Sequence, residues 1–513
     1  MPLFPADLNP HRARLSRSQP VAIESPTAAG ILHLGLGNFH RAHQAVYTAA
    51  ALADAGGDWG IVGVASRSRT VVDAMRSQDL RYSVAEVSPA GMSISVQAVH
   101  TDVFVGAEEP DRVVASIADP AIRIVTLTVT ENGYSYSPST GRLNLADPLV
   151  IADLRGGAPR TTIGQLARGL QRRAAEGAPV TILSCDNLAA NGAHTERLVR
   201  EFLQELPGAE GPRTLSYLDA AVTFPSTMVD RIVPSTDAGL RERVSAALGV
   251  WDEVPVPAEP FSMWAIEDRF AAGRPTWEAG GAVFTDEVDR YEQLKVRLLN
   301  GTHSLIAYLG ALSGAATIPD AIAIPDIEAA ARAVVRLEYE PSVEVPSGVD
   351  VREYEAQLFE RWGNTALGHR TTQVGTDGSV KLRQRIPEPV ARALDDGGMP
   401  HLIALTAAGY LCCMAPLPGF APGPFADAMT DTARERLTDI ARTSRDGFDI
   451  ASRAIGDLEL FGQELSTRAS FIARVGELVD IIVRHGVRAA ISDALDASVP
   501  TPAGSSGVQT VTP

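Results

Sequence analysis

The sequence predicts an α/β protein, with a doubly wound parallel sheet in its first half and a mostly α-helical second half. Three observations lead there. Apolar β-rich runs alternate with helical stretches up to about residue 285, the rhythm of a parallel sheet with helices on its faces. After about Glu287 the β-rich runs become few and helical periodicity takes over. The length, 513 residues, exceeds one ordinary core, so two domains are expected.

The elements follow in order. "GILHLGLG" reads as a strand entering a turn, and "FHRAHQAVYTAAALADAG" as one helix that stops at a glycine. "WGIVGVAS" is a second strand, and "AIRIVTLTVTENGY" and "APVTILSCDN" are further β-rich runs ending in polar residues. In such sheets the ligand lies outside the carboxyl ends of the strands, so "TENGY" and "SCDNLAANG" fall where chemistry is expected. In the second half, "DIEAAARAVVRLEY", "VREYEAQLFERWG", "PHLIALTAAGYLCCM", "ARERLTDIARTS" and "RVGELVDIIVRHGVRAAISDAL" suit helices. This gives an N-terminal extension over 1–27, a sheet domain over 28–285 and a helical domain over 286–496. A tail over 497–513, rich in Pro, Ser, Thr and Gly, is expected to be disordered.

Acidic residues outnumber Lys and Arg by 62 to 45, a net charge of −17. That balance disfavours nucleic acid and anionic membrane surfaces as partners. A small acidic substrate remains open, because a local basic pocket can sit on an acidic protein. The first twenty residues lack an apolar h-region, and no run of about 18 apolar residues occurs. Cys185, Cys412 and Cys413 form no CxxC pair, so a cytoplasmic setting without disulfides is expected.

The first turn, "GLGNFHRAH", supplies two glycines of a GxGxxG pattern, Gly35 and Gly37, with His40 in the third place. Gly35 permits the tight turn, and Gly37 lets backbone N–H groups approach a pyrophosphate. The reading is a Rossmann-type dinucleotide site drawing on Gly35, Gly37, Asn38, Phe39 and Arg41. The alternative is a tight turn without a ligand. The second strand ends in Ser66, Arg67, Ser68 and Arg69, where an acid usually holds the ribose hydroxyls. Arg67 suits a 2′-phosphate, so NAD and NADP both remain open.

The stretch "YEQLKVRLLNGTHSLIAYLG" reads as a buried helix, with Leu294, Leu298, Leu299, Leu305, Ile306 and Leu309 at helical spacing. It nevertheless carries Lys295, Asn300 and His303, and Gly301 besides. At 100° per residue the three polar groups fit an arc of about 140°. The lysine suits a general base for a secondary alcohol if burial brings its pKa from about 10.4 toward 7–8. The carboxamide suits a developing alkoxide, and the imidazole suits substrate orientation. The alternative has the lysine snorkelling and the others bonded to backbone. Tyr291 and Lys295 also form YxxxK, the acid/base pair of short-chain dehydrogenases.

Taken with "FPSTMVDRIVP" and "WAIEDRFAAGRP", these segments resemble the mannitol dehydrogenase family of polyol-specific long-chain dehydrogenases over roughly residues 28–490. The resemblance implies a metal-independent NAD- or NADP-linked oxidoreductase acting on a sugar acid or polyol, as a monomer or homodimer. It implies Lys295 as general acid/base, and Asn300 and Asn191 as donors to the reacting oxygen. His303 and Asp230 would contact substrate, and Glu131 would relay protons to solvent. The segment "HRTTQVGTDGSVKLRQR" resembles the fructuronate reductase branch, with Gln373 where mannitol dehydrogenases tend to have arginine. Asn132 stands where that branch has lysine. Arg370, Lys381, Arg383 and Arg385 form a basic run. One or two of them could clamp a uronate carboxylate, or the run is a solvated surface. The expected reaction is D-fructuronate to D-mannonate. D-fructose to D-mannitol, and a non-catalytic dinucleotide-binding sensor, are the alternatives.

Overall fold

The computed structural model describes residues 14–16, 25–137 and 140–498, with the backbone alone at Glu131 and Asn132. The chain forms two compact units, one running to Glu292 and the other starting at Gln293.

The described residues of the first unit form twelve strands: β1 (Ala29–Leu34), β2 (Gly60–Ala65), β3 (Tyr82–Ser88), β4 (Gly91–Gln97), β5 (His100–Val105), β6 (Ile124–Leu127), β7 (Val180–Ser184), β8 (Val222–Thr223), β9 (Thr227–Asp230), β10 (Val256–Ala258), β11 (Met263–Ile266) and β12 (Val283–Phe284). Its main sheet runs β5-β2-β1-β6-β7-β8, with every pair parallel. Neighbouring residues of β1 enter different cores. Leu32 and Leu34 join Val125, Leu127 and Ile182, whereas Ile31 joins Ile61, Val103 and Trp264. Burial on both faces explains why these strands read as continuous apolar runs instead of alternating ones.

Two departures from the sequence reading occur here. The β3–β4 hairpin, with β10 beside it, forms a second sheet that the reading did not contain. The expected single helix after the first turn is two helices, Asn38–Ala42 and Gln44–Ala55. His43 breaks it with φ −125° and ψ −89°, and its Nε2–H donates to Met263 O at 3.0 Å.

Described residues of the second unit form helices and short turns. Thr302–Leu312 and His401–Met414 are buried on almost every side. Gly409 lets these two approach closely, since a side chain there would meet Tyr308 Cβ at 3.2 Å. The last expected helix is split at Gly486 (φ +85°) into Ala469–His485 and Val487–Ser498. Ala497 and Ser498, assigned to the tail by composition, are therefore helical, and 499–513 lie outside the described residues. Residues 1–13 and 17–24 of the N-terminal extension lie outside them as well. The buried stretch around Lys295 is not one α-helix. Val288–Leu294 leads into a π-helix, Lys295–Gly301, before Thr302–Leu312 resumes the α-helix.

Candidate active site

Strand order reverses between β1 and β6, which fixes the switch point of the first sheet. Gly35, just past β1, has φ +112°, and a side chain there would collide with the backbone and hydroxyl of Thr128. Gly37 differs. It is exposed, and an added Cβ would meet only Gly35 O, at 3.7 Å. The turn thus presents open backbone where a dinucleotide phosphate would approach, so these residues fit that cofactor. Arg41 is buried and donates to Asn38 Oδ1 at 2.7 Å and Val254 O at 2.6 Å. It anchors Asn38 from inside the unit. Phe39 is half-buried and stacks on His43, with centroids 5.0 Å apart. At the end of β2, Arg69 pairs with Glu108 at 2.5 Å, while Arg67 is exposed without an ion pair among the described residues.

His40 fills the third-glycine position by stacking on His33, with centroids 3.4 Å apart and rings inclined 12°. Its Nε2 lies 3.2 Å from His100 Nε2. His33 reaches Thr126 Oγ1 at 2.8 Å, Thr128 Oγ1 at 2.8 Å and Gly35 O at 3.1 Å. A buried imidazole trio therefore props the glycine turn from beneath. Burial pushes His33 and His100 down to about 3 and His40 well below its ordinary value. The sequence shows three histidines widely spaced, with nothing to say that they meet.

The carboxyl ends of β6 and β7 are joined by Asp186. Its carboxylate accepts from Val129 N–H and Thr130 N–H at 3.0 Å each and from Tyr134 OH at 2.8 Å. Burial raises the Asp186 pKa, and these donors oppose the rise. Thr130 is held at φ +66°, ψ +163°, a region nearly reserved for glycine and costing on the order of 1–3 kcal/mol. The 3₁₀ turn Glu131–Tyr134 follows, and the Glu131 side chain lies outside the described residues. Asn191 opens the helix Asn191–Gln204 and is 1% exposed. Its Nδ2 donates to Thr227 O at 2.9 Å and Asp186 O at 3.1 Å, and its Oδ1 accepts from Thr227 N–H at 2.9 Å. Both carboxamide hydrogens are thus donated within the unit, so giving one to a substrate oxygen requires releasing a carbonyl. Asp230 ends β9, buried at 4% exposure. Neighbouring Arg231 pairs with Glu86 at 2.5 Å and donates to Glu259 O and Ala42 O. Glu292, which the sequence reading passed over, accepts from Ala190 N–H at 3.1 Å, next to Asn191.

In the second unit Lys295 and His303 are 8% and 7% exposed. Lysine snorkelling is excluded by that burial. The π-helix also corrects the arc drawn from α geometry. In an α-helix residues five apart lie about 140° apart around the axis. In a π-helix the backbone bonds run i→i+5 and each turn is wider, so residues five apart come closer around the axis than in an α-helix. Lys295 and Asn300 are such a pair. The Asn300 carboxamide, unlike that of Asn191, has no hydrogen bond among the described residues. Gly301 is required by close approach, since a Cβ there would lie 2.5 Å from Tyr339 Cζ. The His303 pKa is pushed well below its usual value by burial first, then by His369, Arg385, Arg361 and Lys381. Its Nε2 is buried without a protein partner among the described residues, and His369 sits edge-on at 4.9 Å between centroids.

The basic run is not a free clamp. Lys381 donates to Thr376 O at 2.6 Å and Val374 O at 3.2 Å. Arg383 donates to Glu459 O and Leu460 O at 2.8 Å each. Arg385 donates to Asn300 O at 3.0 Å and Ser304 Oγ at 2.6 Å. Arg370 and Gln373 are exposed at the short helix Thr371–Gly375. The YxxxK alternative gains no support from the electrostatics. Burial and then Glu287 raise the Tyr291 pKa, opposite to what an acid/base tyrosine needs. No cluster of three or more metal-ligating side chains occurs among the described residues, and no helix among them is long and apolar enough to cross a membrane.

Comparison with known proteins agrees with this division of labour. The family model for the mannitol dehydrogenase Rossmann domain matches residues 29–279, and that for the mannitol dehydrogenase C-terminal domain matches 287–480. The chain is 35% identical to D-mannonate oxidoreductase of Escherichia coli (strain K12), over 90% of this chain and 95% of that protein. It is 34% identical to a polyol:NADP oxidoreductase of Gluconobacter oxydans, over 77% of this chain and 83% of that one. Its structure is similar to mannitol 2-dehydrogenase of Pseudomonas fluorescens in ternary complex with NAD and D-mannitol. The TM-score is 0.81 at 30% identity, covering 94% of this chain and 99% of the other. The chain belongs to the mannitol dehydrogenase family, oxidoreductases that act on the CH–OH groups of polyols and sugar acids.

Proposed function

We propose that this enzyme transfers a hydride reversibly between NAD and C5 of D-fructuronate, giving D-mannonate. The bound nicotinamide supplies the hydride acceptor or donor. The chain supplies the rest. Lys295 takes the hydroxyl proton as the alcohol is oxidised and returns it during reduction. Asn300 donates its uncommitted carboxamide N–H to the developing alkoxide, and Asn191 joins it by releasing its 3.1 Å bond to Asp186 O. Neutral His303 bonds a substrate hydroxyl through its unpartnered Nε2. Asp230 fixes a second hydroxyl, and Glu131 passes the proton of Lys295 to solvent.

One observation carries the choice of an acidic sugar: Arg385, Arg361 and Lys381 all weigh on His303 as cations, while His369, pushed down to about 4, is neutral. Such a surround favours a carboxylate over a hydroxymethyl group. Arg370 and Gln373 would border the same end of the substrate. Assayed with both cofactors, fructuronate should exceed fructose in kcat/KM by about 10–10²-fold, the worth of a hydrogen bond to a charged group. Equal efficiency would favour the fructose/mannitol reaction instead. Cofactor binding without turnover on any uronate, ketose or polyol would favour the sensor.

Exposed Arg67 follows β2, where the ribose of the adenosine would be read, and its guanidinium suits a 2′-phosphate. Arg67→Ala should raise KM for NADP(H) about tenfold while NAD(H) is unaffected, the scale of one exposed charge-assisted contact. An unchanged cofactor ratio would mean that Arg67 is merely solvated.

A further inference from the structure

We propose that Arg385 is a positioning residue of the reaction, holding the π-turn that brings Lys295 and Asn300 toward one face of the helix. This rests on the roles given above to Lys295 and Asn300.

The π-turn is an unusual conformation for this sequence. Val296, Leu298 and Leu299 are ordinary helix formers, and π-helices are rare, appearing mostly as single turns at functional sites. Something must hold it against relaxing to an α-helix, and the side chains that touch it are identifiable. Arg297, inside the turn, donates to Ser342 O and pairs with Glu388 at 2.6 Å. Tyr339 packs on Gly301 at the C-terminal end. Arg385 acts at the residue of chemical interest. Its guanidinium donates to the backbone carbonyl of Asn300 at 3.0 Å and to Ser304 Oγ at 2.6 Å, and Ser304 Oγ itself donates to Asn300 O at 3.2 Å. The Asn300 carbonyl is therefore bound by two side chains of the same unit. Both bonds leave from one nitrogen, Nη1, so an ammonium at the same place could keep at least one of them.

The consequence is geometric. If the turn relaxes to α geometry, Lys295 and Asn300 return to about 140° apart around the axis. The base and the alkoxide donor then no longer face one oxygen atom. Arg385 also adds positive charge beside His303, so two roles compete: clamp for a substrate carboxylate, or brace for the turn. They predict different kinetics. A clamp raises KM for the uronate and leaves a neutral ketose untouched. A brace lowers kcat for both.

The test is a double-mutant cycle with Arg385→Met and Asn300→Ala, assayed on fructuronate and fructose. NADH affinity and thermal melting are measured alongside. Asn300→Ala keeps the backbone carbonyl and removes the carboxamide whose placement is at issue. Arg385→Met should lower kcat about 10²-fold on either substrate, the scale of a small misplacement at the reacting atoms. NADH affinity should not change. In the Asn300→Ala background the same substitution should cost little more, and Arg385→Lys should recover part of kcat. Independent, multiplicative losses would overturn the proposal, as would a KM rise confined to the uronate. Should Arg385→Met fail to fold, Arg385→Lys carries the same cycle, with the same two outcomes. Wild-type turnover in both Asn300→Ala and Lys295→Ala would instead overturn the reaction assigned above, which separates the two failures.

Discussion

Lys295→Ala should lower kcat about 10²–10⁴-fold in both directions, the usual contribution of a positioned general acid/base, while the protein still binds NADH and melts normally. The prediction follows from where the amine sits. Lys295 belongs to the helical unit and the glycine turn to the sheet unit, so removing the amine leaves the dinucleotide turn intact. At 8% exposure Lys295 is largely removed from bulk water. A small primary amine in the assay buffer should restore part of the rate by occupying the vacated volume. Rescue should grow with the fraction of added amine that is unprotonated. Turnover within a factor of two of wild type would remove Lys295 from the chemistry.

Much of this was legible in the sequence, for reasons that differ by element. β1, β2, β6 and β7 are buried on both faces, and their continuous apolar runs announce a parallel sheet. Gly35 is visible because only glycine tolerates its φ of +112° against Thr128, and Gly37 because it completes the pattern and leaves the turn's backbone open. The β3–β4 hairpin was missed although the alternation of β4 is present in Met92, Ile94 and Val96; β3 is mostly buried and does not alternate. The π-turn was not legible. A π-helix carries no periodicity of its own over one turn, and Leu294, Leu298 and Leu299 fit an α-helix as well. The sign was the misfit itself, three polar groups and Gly301 in an apolar stretch, and the structure gives Gly301 its reason in the ring of Tyr339. The basic run at Arg370–Arg385 misled because composition cannot tell a guanidinium bound to carbonyls from a free one.

Acidification should destabilise the first unit well above the range of ordinary carboxylate titration, through His33, His40 and His100. In the unfolded chain each titrates near 6.5. In the folded unit His33 and His100 are pushed down to about 3 and His40 well below its ordinary value, by burial first in every case. The sign follows from linkage. Above pH 6.5 all three are neutral in both states and pH has no effect through them. Below 6.5 the unfolded chain binds protons that the folded unit refuses, so stability falls with pH until about 3, where the folded unit accepts them. At pH 5 each histidine has lost on the order of 2 kcal/mol, at 1.36 kcal/mol per unit. Three together approach the about 5–15 kcal/mol that holds a typical domain. Because His33 stays neutral in the folded unit down to about 3, its bond to Gly35 O and the dinucleotide affinity of the folded unit should hold through this window until unfolding sets in. Far-UV circular dichroism and NADH titration against pH would check both. His40→Phe keeps a ring stacked on His33 and removes one titrating group, so it should move the acid midpoint down. His303 and His369 are likewise pushed down, the latter to about 4, so acid weakens the helical unit too. Only the shift produced by His40→Phe reports on the trio, and an unmoved midpoint in that variant would assign the acid transition elsewhere.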